Sequence, residues 1–190
     1  MFINYLTNII VEQHYKKRFK KCGKSLRFHP LNSTFSYGNI TLGDRVFINN
    51  RAYFSAPHGE ITIGDDVLFG ADVFLSAGHH SYNLIGLPIN KQGYQGVEDK
   101  IVIHDDVWIA SKALILGSVE IHEGTIVGAG SLVLDDLPPY CLCVGTSRCK
   151  PIKLRYSDEE LRLHLSKLNK PLDEIDFIIK LRKNMTKDLL

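Results

Sequence analysis

From Ile101 to Leu134 the apolar residues return every six positions, a period that neither an α-helix nor an alternating strand has. In register the stretch reads IVIHDD, VWIASK, ALILGS, VEIHEG, TIVGAG, SLVLDD. Each six opens on a small or β-branched residue (Ile101, Val107, Ala113, Val119, Thr125, Ser131), carries Ile or Val two places on, and then usually turns to turn formers. A helical period of about 3.6 residues would scatter these side chains around a cylinder. The pattern is a very short strand followed by a corner, repeated, and it predicts an all-β solenoid of hexapeptide repeats. One six cannot bury its apolar pair alone. Successive coils must therefore stack at roughly 4.8 Å and share one narrow core.

The same register can be traced upstream from Phe28 through Thr34 (TFSYGN), Ile40 (ITLGDR), Val46 (VFINNR) and Ala52. After Ala52 the next opening residue is Ile61, so AYFSAPHGE carries three extra residues and must bulge from a corner. Ile61, Val67 and Val73 resume the count, with Gly43 and Gly64 at corners where a left-handed backbone would suit glycine. The count stops at Gly78 and restarts at Ile101. The interruption, a loop over 79–100, is long for a connection without structure of its own, and such excursions from a regular scaffold usually carry function. It begins with two histidines, His79 and His80.

Residues 1–27 read as an N-terminal helical cap: Phe2, Leu6, Ile9 and Ile10 share a helical face ahead of Lys16, Lys17, Arg18, Lys20 and Lys21. A signal peptide would place its charge first. The cap closes the end of the solenoid, or residues 1–21 touch an anionic membrane surface or a lipid-linked substrate. The solenoid proper is expected over 28–153 and C-terminal helices over 154–190. There Ser157 and Glu160 form a capping box before Leu161, Leu165 and Leu168, and Pro171 starts a second helix through Ile175, Ile178 and Ile179.

A net charge of +2 does not argue for nucleic acid. Cys22, Cys141, Cys143 and Cys149 show neither zinc-site nor disulfide spacing, which fits buried or idle thiols in a cytoplasmic protein. No apolar run is long enough to span a membrane.

The stretch from Val107 to Lys153 resembles the signature of the hexapeptide-repeat acetyltransferases: Trp108, GAGS from Gly128 to Ser131, DLPP from Asp136 to Pro139, and Gly145 occur together at that family's spacing. The resemblance covers roughly residues 28–153 and is strongest to the O-acetyltransferases that modify sugars, including those of surface polysaccharides. It implies a left-handed parallel β-helix, a homotrimer with active sites between neighbouring prisms, acetyl-coenzyme A as donor, and a saccharide acceptor. The chain departs from the pattern in having Arg51, beside Asn49 and Asn50, where an acceptor-binding asparagine is usual. It also has Asp135 where a lysine precedes the DxPP segment.

Acetyl transfer from a thioester to a hydroxyl needs a base, and histidine titrates near the working pH. By resemblance, counting from VLFGAD, His80 falls on the catalytic histidine, and His79 is the alternative because strand alternation lets only one of the two face the groove. Tyr82 and Asn83 are candidates to orient the ring or the acceptor, and Glu98 to pair with the ring. The resemblance also implies that the backbone N–H of Ser111 holds the oxyanion. Trp108, Ala110, Ala129 and Gly130 would line the coenzyme groove, with Arg148, Lys150 and Lys153 answering its phosphates.

Two rival readings belong to other classes. One is a non-catalytic binding or assembly solenoid. The other is a zinc enzyme like the carbonic anhydrases of this fold, using His104, His122 and a loop histidine. His104 and His122 lie eighteen residues apart and should stack as exposed corner residues. The pair of loop histidines four residues apart that the carbonic anhydrases show is missing, so no metal is expected.

Overall fold

Short strands form where the hexads place them, and the chain visits three parallel sheets in turn. Face A stacks Lys21–Cys22, Ile40–Leu42, Glu60–Ile63, Lys100–Ile103 and Val119–Ile121. Face B stacks Phe47–Ile48, Leu68–Phe69, Trp108–Ile109, Ile126–Val127 and Cys141–Val144, with Lys150–Leu154 added antiparallel at its end. Face C stacks Thr34–Phe35, Tyr53–Ser55, Phe74–Ser76, Leu114–Leu116 and Leu132–Val133. Visiting A, B and C in order makes each coil a triangle. The structure, a computed structural model, describes residues 10–95 and 99–187. Phe2, Leu6, Ile9 and Glu98, which entered the expectations above, lie outside the described residues.

The register explains the six-residue period. Ile61 pairs with Ile101 and Ile101 with Val119, so like positions of successive coils stand in columns. The opening residue of each six and the one two places on point inward and are buried, as with Ile101, Ile103, Val107, Ile109, Ala113 and Ile115. The residue between them points out. Phe54 fills the middle of the prism with no exposed surface, edge-to-face against Phe35 at 5.3 Å and tilted against Phe69 at 5.1 Å.

The ladder begins before Phe28, because Lys21–Cys22 already pairs with Ile40–Leu42. No apolar six announces this coil. Its core positions are supplied by Phe19 and Leu26, and α1, helical over 10–16, precedes it. The basic run is held against the prism: the Arg18 guanidinium lies 4.6 Å from the Tyr37 ring centroid and Lys20 pairs with Glu60.

The corners correct one expectation. Gly43 and Gly64 do not take a left-handed backbone; Arg45, Arg51, Asp66, Asp72, Asp106 and Lys112 do. The two glycines are required by close approach. A Cβ on Gly64 would lie 2.2 Å from Asp105 Oδ1, and that oxygen already accepts a hydrogen bond from the Asp65 N–H. Gly64→Ala is expected to cost about 1–3 kcal/mol by overpacking a corner that cannot widen, measurable as a lowered urea midpoint.

At the C-terminal end, α2 (Asp158–Lys167) carries the expected capping box and α3 (Leu172–Met185) follows Pro171. Leu161, Leu165, Ile175, Ile178 and Ile179 pack on one another and around Tyr140, while Leu168 remains exposed. Arg182, which the sequence places in a basic helix end, is instead buried, donating to Asp158 and to the Tyr156 carbonyl. Cys141, Cys143 and Cys149 are buried free thiols, and burial pushes the first and last up to about 11. Among the described residues, no helix is long and apolar enough to cross a membrane.

Candidate active site

Two interruptions of the repeat emerge from the same edge of the prism. The bulge around His58 and the loop over 79–100 both join face C to face A, one coil apart. They therefore stack. The Glu60 N–H donates to the Asp99 carbonyl at 3.0 Å, and a Cβ on Gly59 would meet that oxygen at 2.4 Å. His79–His80 pairs antiparallel with Tyr94–Gln95 across the loop, and alternation sends the two imidazoles to opposite sides.

Their surroundings differ. His79 Nδ1 lies 3.0 Å from Asp99 Oδ2, and the other Asp99 oxygen accepts from the Ser118 hydroxyl at 3.1 Å. This pair joins the residue where the loop leaves the prism to the residue where it returns, so it pins the neck of the loop. The His80 ring is exposed, makes no hydrogen bond among the described residues, and stacks on the Tyr94 ring with centroids 4.2 Å apart. His58 packs on Tyr94 at 3.9 Å. An aromatic stack thus holds the His80 ring without using its nitrogens. Tyr82 and Asn83 follow, both exposed, in a loop whose Leu84, Ile85, Leu87 and Ile89 are also exposed.

The edge between faces B and C carries the second group. Asn49–Arg51, Gly70–Asp72, Ser111–Lys112 and Ala129–Gly130 lie on it in successive coils, tied by Asp72 N–H to Asn50 carbonyl and Gly130 N–H to Ser111 carbonyl. The Ser111 N–H has no acceptor among the described residues. Gly70 leaves room beside it, since a Cβ there would fall 2.5 Å from that nitrogen. Ala129 is exposed and Gly130, in the left-handed region, has open space around it. Ala110 is half-buried, and Trp108, 46% exposed, stands on the adjoining face. Open backbone beside an exposed aromatic suits a slender pantetheine arm.

The charged residues divide. Arg51 reaches Asp72 with both Nε and a terminal nitrogen, at 2.6 and 2.7 Å, and Arg148 is bound to Asp135 in the same two-pronged way. Each carboxyl is held below its usual range, first by the hydrogen bond from its arginine. Arg148 is thereby committed to Asp135, the residue that stands where the resemblance led one to expect a lysine. Lys150 and Lys153 are exposed on the antiparallel strand.

Sequence reasoning missed His58, Tyr94 and Asp99. The signal was present: bulge and loop fall after the same position of the triangular coil, so whatever they carry must meet. The edge of the loop and the edge of Ser111 are separated by the width of face C, roughly 15 Å at ordinary strand rise. Within one prism the base of the loop and Ser111 thus stand on different edges.

Comparison with known proteins places this geometry in a class. A family model, Bacterial transferase hexapeptide (six repeats), matches residues 100–135. A maltose O-acetyltransferase from Clostridium difficile 630 has a similar structure, with TM-score 0.69 and 28% identity over 77% of this chain and 75% of that one. A hexapeptide-repeat acetyltransferase from Vibrio cholerae, solved with acetyl-coenzyme A, gives TM-score 0.65 and 28% identity, covering 75% of each chain. A chloramphenicol acetyltransferase from Morganella morganii is 44% identical over 75 residues, 38% of this chain and 35% of that protein. The chain spans about a third of the length of such curated relatives. In fold, repeat and signature stretch the chain is similar to the hexapeptide-repeat acetyltransferases.

Proposed function

We propose that this protein transfers acetyl from acetyl-coenzyme A to a hydroxyl of a saccharide, with His80 as general base, at sites between the left-handed prisms of a homotrimer. The observation that carries this reading is His80 itself, an exposed imidazole whose nitrogens have no hydrogen-bond partner among the described residues, held by Tyr94 at the break in the repeat. His80 takes the hydroxyl proton as the oxygen attacks the thioester carbonyl. The Ser111 N–H stabilises the oxyanion, and collapse expels the coenzyme A thiolate, which takes up the proton from His80. Trp108, Ala110, Ala129 and Gly130 line the donor groove, Lys150 and Lys153 meet its phosphates, and Asn49, Asn50, Tyr82 and Asn83 face the acceptor.

The trimer is supported by the surface. The outward column of face B runs Phe47, Leu68, Trp108, Ile126, Leu142, and that of face C runs Tyr53, Phe74, Leu114, Leu132. Face A shows Thr41, Thr62, Val102 and Glu120 instead. Two apolar stripes flanking the Ser111 edge call for a neighbouring copy, and that copy's loop would bring the base to this edge.

The His79–Asp99 pair favours a second assignment, with His79 as the base oriented by a carboxylate. Asp99→Asn separates the two. With His80 as base the change loosens the loop neck and lowers kcat by less than about tenfold. With His79 as base it removes the orienting charge and lowers kcat by at least about 100-fold. The activity itself is tested by release of coenzyme A thiol in the presence of mono- and oligosaccharides, sugar nucleotides and chloramphenicol. Acceptor-dependent release with a saccharide is the expected result; release with chloramphenicol alone would replace the acceptor class. Failure to bind coenzyme A would leave a non-catalytic solenoid.

A further inference from the structure

The edge between faces A and B bears a cluster that acetyl transfer does not use. Among the described residues, His104, Glu120 and His122 form a group whose ligating atoms all lie within 4.8 Å of one another. The repeat builds it. Ile103 pairs with Ile121 in adjacent coils, so the residues that follow, His104 and His122, stack with ring centroids 5.3 Å apart and planes at 24°. Glu120 Oε1 lies 2.6 Å from His104 Nε2 and 3.8 Å from His122 Nδ1. The Glu120 N–H donates to Asp136 Oδ1 at 2.8 Å, which fixes the backbone that presents this carboxylate. Side-chain exposures of 40% for His104, 43% for Glu120 and 16% for His122 leave the group open to solvent on one side only.

We infer that His104, Glu120 and His122 form a binding site for a divalent transition-metal ion of the zinc class. Two imidazoles and one carboxylate are a donor set that zinc accepts with a fourth position left to water. Donors around a tetrahedral zinc stand about 3.3 Å apart, given metal–ligand bonds of roughly 2.0–2.2 Å. The separations here fall on both sides of that figure, and small rotations of partly exposed side chains close the difference. The ion would sit where the His104–Glu120 hydrogen bond now lies, so binding replaces that bond with two metal–ligand bonds.

The site differs from the zinc enzyme weighed on sequence grounds, because it needs no loop histidine and has its carboxylate within the repeat. Bound there, the ion clips two consecutive coils together at the corner that leads into the Trp108 strand. The inference does not depend on acetyl transfer.

The test uses the full chain, stripped with chelator and dialysed, titrated with zinc chloride by calorimetry and with cobalt(II) by visible absorption. One saturable zinc per chain is expected, with the cobalt bands of a four-coordinate site. His104→Ala, His122→Ala and Glu120→Gln should each weaken zinc by at least the roughly 10–100-fold that even supporting residues cost at metal sites. Zinc should raise the melting temperature of the wild type by several degrees and leave the variants unmoved. Glu120→Gln keeps the size of the side chain, so it reads the site even where an alanine variant folds poorly. Absence of saturable binding, or zinc affinity unchanged in Glu120→Gln, would overturn the inference.

Discussion

Replacement of His80 by alanine is expected to lower kcat for acetyl transfer by roughly 10²–10⁴-fold, the usual contribution of a positioned general base. The KM for acetyl-coenzyme A should change little, because in the proposed trimer the donor groove lies on the Ser111 edge and His80 approaches it from a neighbouring prism. The loss belongs to the transition state, and at about 1.4 kcal/mol per tenfold it corresponds to roughly 3–5.5 kcal/mol. Tyr94→Ala offers a graded companion. Its ring holds His80 by stacking and touches none of the reacting atoms, so its removal should cut kcat less and leave a pH profile of unchanged shape. Steady-state thiol release with wild type, His80→Ala, His79→Ala and Tyr94→Ala decides the matter. Full activity in His80→Ala together with its loss in His79→Ala would move the base to the side of Asp99.

For stability the largest single effect is expected at Phe54. It lies in the column Phe35, Phe54, Leu75 and is fully buried between aromatic neighbours on two sides, Phe35 and Phe69. Phe54→Ala should cost about 3–5 kcal/mol, because the coils above and below are fixed by their backbone ladders and cannot collapse into the space. For a chain of this size that corresponds to roughly 10 °C in melting temperature. Phe54→Leu should recover most of the loss. Since each coil contacts only its neighbours, the damage should spread through the N-terminal coils first, where hydrogen exchange would show early opening around residues 34–55. A uniform acceleration of exchange reaching the coil of Ile115 would show instead that the whole prism unfolds as one unit.

The repeat was legible because burial imposes it. A prism three sheets around needs an inward residue at fixed steps, so Ile101, Ile103, Val107 and Ile109 announce themselves without any knowledge of neighbours. Helix signals were equally local: Ser157 and Glu160 satisfy each other within one turn. Where the coil used borrowed core residues, as with Phe19 and Leu26, the pattern was silent and the ladder began earlier than expected. Corner glycines misled for a related reason. Conformational preference is a property of one residue, whereas the need for Gly64 arises from Asp105 in the next coil.

The candidate site divides along the same line. His79, His80, Trp108 and Ser111 could be named from the chain, since a broken repeat and a signature stretch are properties of order and spacing. That Asp99 reaches His79, that Tyr94 stacks on both His58 and His80, and that Arg148 answers Asp135 were decided only in three dimensions. The sequence by itself determined the triangular coil and the position of the loop, because the period of burial is written one residue at a time. Only the tertiary structure decided which imidazole is pinned and which is free, and set His104, Glu120 and His122 within reach of one ion. Those outcomes depend on which residues stacking brings side by side from different coils, and on the strand alternation that turns neighbouring side chains to opposite faces.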